Sequence, residues 1–204
     1  MGLEGYRRRV SESKRKSIMA AAGAEFQDNG FTHAAMAEIA RKADVSTATL
    51  YKHFGSKEEL FSSIIEASYA GIGIPQSSAS EAKDAKEALT IAANDYLNQQ
   101  FGAGINALMR AVISETSGVP EVGKDFLKRG VHQRTKDLVT YLDQLVERKL
   151  LKPHDTKISA MQFGGMVKES FVWPAMFDPN FKMPSNKDAI IENAVDTFLA
   201  RYGA

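Results

Sequence analysis

Apolar residues recur every three or four positions along most of the chain, which is the spacing typical of amphipathic helices. Near the N-terminus, Ile18, Ala22 and Phe26 follow one another at intervals of four. No segment alternates apolar and polar residues in the way of a half-buried strand. The pattern therefore predicts an all-α protein.

Turn and capping residues divide this pattern into about nine helices. The first ends at Gly30, which can take a left-handed backbone, and the side chain of Ser46 can cap the third. Ser56 and Glu59 have the spacing of a capping box, which opens the fourth helix. The predicted ranges are 8–28, 36–43, 46–53, 56 to about 70, 84–101, 104–117, 121–149, 155–176 and 187–202, with a polar loop at 76–83. Gly130 could break the helix at 121–149.

Two helices of about eight and seven residues, joined by a three-residue turn, indicate a helix-turn-helix, whose second helix lies in the DNA major groove. Ile39, Leu50 and Phe54 can pack on the first helix, while Ala48 and Lys52 fall on the opposite side. The chain is thus predicted to have a DNA-binding head at residues 1–55 and a helical body at residues 56–204. The donors that this outer face offers to bases or phosphates are Thr47, Thr49, Tyr51, Lys52 and His53.

Charge separates the same two regions. The formal net charge is +1, yet residues 1–57 hold ten Lys and Arg against six Asp and Glu, while residues 58–204 hold sixteen against nineteen. Six of the basic residues lie within residues 1–16 and form a basic arm that could contact phosphates. A solvated tail would explain the arm equally well.

Composition excludes several other classes. The 204 residues include no Cys, which rules out disulfides and thiolate metal sites and suits a cytoplasmic protein. No apolar run reaches the about 20 residues that span a bilayer, so no membrane segment is expected. The four His residues have no metal-ligand spacing, so neither metal nor cofactor is predicted.

The head resembles the DNA-binding region of the tetracycline-repressor (TetR) family over residues 12–62. The most specific part is the run Leu50-Tyr51-Lys52-His53-Phe54 followed by Ser56-Lys57-Glu58. The resemblance implies that Tyr51, His53 and Lys57 hold phosphates and that Thr47, Ala48, Thr49 and Lys52 face the bases.

The chain departs from the family pattern at two places. Asp44 stands at a turn position where the family usually has Gly and where a positive φ is needed, which Asp tolerates better than most residues. Ala34 and Ala35 stand where the family has a hydroxyl that caps the second helix, so Thr32 or His33 would have to replace that cap.

The resemblance also implies that the body binds a small molecule and forms a homodimer, and that ligand binding changes DNA affinity. The last helix carries a wide apolar stripe with Ile191, Val195 and Phe198, which needs a partner, either the core of this chain or the same helix of a second subunit. Since symmetric dimers are the commonest oligomers, we expect a dimer built on about residues 155–203. We expect a repressor that is released from a near-palindromic operator in double-stranded DNA when a small hydrophobic effector binds the body. The candidate ligand residues are Met109, Glu115, Met166, Glu169 and Trp173.

Two other functions stay open at this point. The basic face could bind polyanions without sequence preference. An all-α enzyme is the other alternative, although the sequence contains no nucleophile elbow and no Gly-rich phosphate loop.

Overall fold

A computed structural model describes residues 3–69, 80–102 and 104–204 of the chain. Across these ranges the fold is all-α, as predicted, and the β-structure consists of one isolated bridge between Leu151 and Gly203. The helices are α1 (Leu3–His33), α2 (Met36–Lys42), α3 (Thr47–His53), α4 (Lys57–Tyr69), α5 (Ala85–Gly102), α6 (Ile105–Glu115), α7 (Pro120–Phe126), α8 (His132–Glu147), α9 (Thr156–Glu169), α10 (Val172–Phe177) and α11 (Lys187–Tyr202).

The chain forms two compact units, each with a core of its own. The head unit contains the described residues up to Ser68 together with Leu108–Arg129, and the body unit contains those of Tyr69–Ala107 and Gly130–Ala204. The packing therefore groups most of α4 with the head. A functional boundary after residue 55 stays a prediction.

Three phenylalanine rings hold the head unit together. Phe26 and Phe31 lie 5.7 Å apart between ring centroids, and Phe61 contacts both edge-on at 5.3 and 5.2 Å. Edge-to-face pairs at these distances add to the free energy gained by burial. The predicted packing of the helix-turn-helix on α1 is confirmed, since its members Ile18, Ala22, Ile39, Leu50 and Phe54 are all buried.

Alanine and branched aliphatic side chains form the core of the body unit together with the aromatic rings of Phe163, Phe171 and Phe198. α5 packs against α11, and α8 packs against α9. Tyr141 is fully buried and donates its hydroxyl proton to the carbonyl oxygen of Ala88 at 2.9 Å. The polar end of this side chain is thus satisfied inside an otherwise apolar cluster.

Two predicted helices are divided in the structure. The segment predicted as 121–149 is interrupted near Gly130, where a break was expected, by a π-helical turn at Leu127–Val131 between α7 and α8. The segment predicted as 155–176 is two helices, α9 and α10, separated at Ser170 and Phe171. Pro174 explains this second break, because proline lacks the N–H that a continuing helix would use.

The first helix is longer than predicted, and part of one predicted loop lies outside the described residues. α1 begins at Leu3 rather than near residue 8, and Gly30 interrupts it with a φ of 73°. The predicted loop at 76–83 falls partly on residues 70–79, which lie outside the described residues. Within the described ranges, no helix is long and apolar enough to cross a membrane.

Candidate nucleic-acid interface

The turn between α2 and α3 is fixed by backbone geometry and one serine. Asp44 has a φ of 55°, which is the left-handed conformation expected there, and the N–H of Val45 donates to the carbonyl oxygen of Ala40 at 3.0 Å. Ser46 caps α3, since its hydroxyl oxygen accepts from the N–H of Thr49 at 3.1 Å. The turn and the cap together set the direction in which α3 leaves α2.

α3 divides its side chains between the head core and solvent. Leu50 is fully buried, whereas Thr47, Ala48 and Lys52 are exposed and Tyr51 is 49% exposed. Small and polar residues on the outer face allow the close approach that reading of base edges requires. The arrangement suits a recognition helix.

Three other candidates on the head, Thr49, His53 and Lys57, are partly buried. The hydroxyl of Thr49 lies 2.8 Å from that of Ser46. Lys57 donates to the carbonyl oxygens of Thr32 and Ala34 at 3.0 and 3.2 Å, and its ammonium lies 4.8 Å from the centre of the Phe31 ring. The ammonium of Lys57 therefore organises the segment before α2, and its role as a phosphate ligand stays a prediction.

The prediction that Thr32 or His33 would cap α2 was wrong. The N-cap residue is Ala35, and no side chain bonds to the first N–H groups of α2. Thr32 instead donates from its N–H and its hydroxyl to the carboxylate of Glu115 in α6. A side chain at Gly30 would collide with the same carboxylate, so Gly30 leaves room for this contact.

Arg15 supports the end of the recognition helix, a role that sequence reasoning missed. Its guanidinium donates to the carbonyl oxygen of His53 at 3.3 Å and to the hydroxyl of Ser63 at 3.2 Å, and it lies 4.2 Å from the centre of the Phe54 ring. Its position three residues before the buried Ile18 was the available signal, because both lie on one face of α1.

A second charged contact joins α1 to α2. Lys42 donates to the carboxylate of Glu25 at 2.6 Å, and Asn29 donates to the other oxygen of that group at 2.8 Å. The hydrogen bond from Lys42 lowers the pKa of Glu25, although burial opposes the shift. The head thus buries an acid that is fully paired with donors.

Cations surround the exposed end of α3. Burial lowers the pKa of His53, and the charges of Arg15, Lys52 and Lys14 lower it further. The positive field of α3 therefore continues onto α1. Farther along the same helix, Arg7 is exposed, seven residues before Lys14 and so on the same face.

The five candidate ligand residues are distributed over both units. Met109 and Glu115 belong to the head unit, and Glu115 is bound to Thr32. In the body unit Met166 is partly buried, whereas Glu169 and Trp173 are exposed. Their ligand-binding role stays a prediction.

The chain matches two families of known proteins, and both agree with the helix-turn-helix seen in the structure. The family described as bacterial regulatory proteins, tetR family, matches residues 18–64, and the C-terminal domain of AefR-like transcriptional repressors matches residues 87–204. The first match covers the helix-turn-helix and the second covers more than half of the chain. A helix-turn-helix head joined to a regulatory body defines a class of transcriptional regulators. The chain belongs to the TetR family within that class.

Individual relatives agree with this assignment. The A-factor receptor protein of Streptomyces griseus is 43% identical over 51 residues, which make up 25% of this chain and 18% of that protein. The transcriptional repressor NicS of Pseudomonas putida is 28% identical over 134 residues, covering 56% of this chain and 63% of that protein. The chain thus spans less than two thirds of these curated relatives.

A solved structure extends the likeness to nearly the whole fold. A TetR-family regulator from Mesorhizobium loti has a TM-score of 0.84 and 27% sequence identity, with 95% of this chain and 98% of that chain covered. The arrangement of helices in both parts of the chain is therefore that of a TetR-family protein.

Proposed function

We propose that the protein is a dimeric transcriptional repressor that binds a near-palindromic DNA operator and is released from it by a small organic molecule. The observation that carries this proposal is the capped α3 helix, with Leu50 buried beneath it and Thr47, Ala48 and Lys52 exposed on its outer face. The match of the body to AefR-like repressors favours repression over activation.

The outer face of α3 reads the bases, while flanking groups neutralise phosphates. Tyr51 and His53 are short, rigid donors for phosphate oxygens, and the exposed Lys14 and Arg7 on α1 extend the positive surface. Phosphate contacts fix the orientation of the head on the duplex but carry no sequence information. Specificity therefore depends on α3, and the salt dependence of binding depends largely on α1.

Dimerisation through residues 155–203 is supported by apolar side chains on the surface of the body unit. Ile158 and Met161 on α9 are 49% and 61% exposed, and Trp173 and Phe177 on α10 are 52% and 83% exposed. Exposed aromatic and aliphatic residues in such number are typical of an interface. A symmetric dimer presents two α3 helices, which is why the operator is expected to be a near-palindrome.

The decisive experiment is selection from a random duplex pool at near-physiological salt, followed by sequencing of the bound fraction. The proposal predicts enrichment of a palindrome, and an Ala48→Glu variant with a carboxylate on the outer face should lose it. A matched Thr140→Glu variant, which adds the same charge at an exposed site of the body unit outside residues 155–203, should select the same sequence.

Either of two results would contradict the proposal. Equal recovery of all sequences by a folded protein would indicate a polyanion-binding protein. A monomer in analytical ultracentrifugation at micromolar concentration would exclude the dimer, and with it the palindrome.

A further inference from the structure

One arginine of the body unit has its charge directed into the protein. Arg134 on α8 is partly buried, and its guanidinium donates to the side-chain oxygen of Gln100 at 2.7 Å and to the carbonyl oxygen of Tyr96 at 3.3 Å. Gln100 is 1% exposed, and its amide nitrogen donates to Asn106 at 2.7 Å, which fixes the direction of its oxygen. These two acceptors, and the Tyr69 hydroxyl that also bonds to Arg134, are neutral groups.

A second cation lies near Arg134 on the neighbouring helix. Lys168 on α9 is partly buried, and burial together with the charge of Arg134 lowers the pKa of its ammonium. Among the ion pairs of the described residues, none involves Arg134 or Lys168. Two neighbouring, partly buried cations without a carboxylate are costly, since burial of a charge is normally compensated by an opposite charge.

Aromatic rings flank the guanidinium of Arg134. The centre of the Tyr96 ring lies 4.2 Å away and that of the Tyr69 ring 5.7 Å away. Burial raises the pKa of Tyr69, and it raises that of Tyr96 to about 12. Both hydroxyls therefore keep their protons at neutral pH and can donate hydrogen bonds.

The backbone beside Tyr69 has an unusual form. Gly130 is buried within the π-helical turn, and a Cβ atom there would lie 2.6 Å from the Tyr69 ring. π-helical turns are rare and occur frequently at functional sites. The turn brings the backbone against Tyr69 four residues before Arg134, so an independent structural feature marks the same place.

We infer that Arg134, Lys168 and the hydroxyls of Tyr69 and Tyr96 form an anion site that binds the carboxylate of an organic acid with an apolar body. The carboxylate replaces the neutral acceptors of Arg134 with a charged one, and charge-assisted hydrogen bonds are roughly twice as strong as neutral ones. The two ring faces beside the guanidinium favour an acid with a hydrocarbon or aromatic part over a small hydrated anion.

This inference rests on the proposed function, because it names the chemical class of the effector. The sequence predicted a hydrophobic effector, whereas this inference requires an effector that also carries a negative charge. The two can be separated by probes that share an apolar body and differ only in the acid group.

Thermal unfolding and calorimetry of the full-length protein would test the site with paired probes. Short-, medium- and long-chain fatty acids, benzoate and cinnamate would each be compared with the corresponding amide. At least one acid should raise the melting temperature and bind at least about tenfold more tightly than its amide, as expected for hydrogen bonds to a charged group. Equal effects of acid and amide throughout, or no effect of any acid, would overturn the inference.

Amino-acid substitutions would test whether the acid binds at this cluster of side chains. Arg134→Gln and Lys168→Gln should each weaken the acid about tenfold or more and leave the amide unchanged. Lys168→Gln removes a cation whose burial is unfavourable, so it should fold even if Arg134→Gln does not. Arg201→Gln, at an exposed position of the body unit, is the matched control and should bind the acid like the wild type. Unchanged acid binding by a folded Lys168→Gln variant would contradict the assignment.

The outcome is separable from that of the operator experiment. A palindrome selected by a protein that does not distinguish acids from amides would leave the proposed function intact and remove the anion site. Acid binding that leaves DNA binding unchanged would establish the site and remove its role in release.

Discussion

The cations of the head and those of the body differ in where they point. On the head, Arg7, Lys14 and Lys52 face solvent around the exposed side of α1 and α3. In the body, Arg134 and Lys168 are partly buried, and Arg134 is held by neutral acceptors. Exposed cations suit a long polyanion that approaches from outside, whereas enclosed cations suit one small anion. Net charge alone would have hidden this difference.

The largest expected effect concerns the separate cores of the two units. Phe61→Ala removes one ring of the head triad and should lower the free energy of unfolding of the head by about 3–5 kcal/mol. Phe198→Ala in the body core should have a similar effect on the body. Hydrogen exchange would show which amides lose protection in each variant. Loss of protection over the same amides in both variants would mean that the two cores do not respond separately.

Two glycine-to-alanine substitutions should change stability in opposite directions, one in the head and the other in the body. Gly130→Ala places a methyl group against the Tyr69 ring and should destabilise the body by about 1–3 kcal/mol. Gly23→Ala lies within α1 with no atom near the new methyl group, and it should stabilise the head by about 0.4–1 kcal/mol. Urea denaturation measures both changes. A Gly130→Ala variant as stable as the wild type would show that Tyr69 moves aside easily.

Neutralising the arm tests whether the exposed cations of the head meet DNA. The double variant Arg7→Gln/Lys14→Gln should reduce the slope of log affinity against log salt by about 1.8, since each phosphate contact contributes about 0.9. Lys136→Gln/Lys152→Gln makes the same charge change on the body and should keep the slope. Titrations on both operator and random duplexes provide the measurement. Equal slopes for the two double variants would show that the basic arm is solvated and does not contact DNA.

The smallest expected effect is a pH dependence of head stability. The pKa of His53 is lowered by burial and by neighbouring cations, so the unfolded chain takes up a proton before the folded head does. Stability of the head should therefore fall as pH drops below about 6.5, the ordinary pKa of histidine, towards the folded value. His53→Gln should flatten that part of the profile in urea titrations across this range. A rise in wild-type stability over the same interval would contradict the direction of the shift.

Local signals predicted the head well because its structure depends on neighbouring residues. The cap by Ser46, the left-handed turn at Asp44 and the burial of Leu50 all follow from short-range chemistry. The contacts of Lys57 and Arg15 were not predicted, since both join parts of the chain that are 23 to 48 residues apart. The DNA-contacting roles of the exposed residues remain predictions.

The body was predicted only as a set of helices. Periodicity gave the approximate ranges and Gly130 marked the place of an interruption, but its π-helical form and the break before α10 depend on packing at Gly130 and on Pro174. Arg134 went unnoticed because one arginine in a helical pattern normally faces water. Its significance depends on Tyr69 and Gln100, which lie far from it in sequence and beside it in the fold.

The left-handed backbone at Asp44 limits which sequences can carry this head. A φ of 55° is readily adopted by Gly, Asn and Asp, but it is strained for β-branched and bulky residues. In a saturation library at position 44, those three residues should dominate among the variants that remain functional. A search pattern that demands glycine at this turn would therefore pass over this protein and others that meet the same backbone requirement with a side chain.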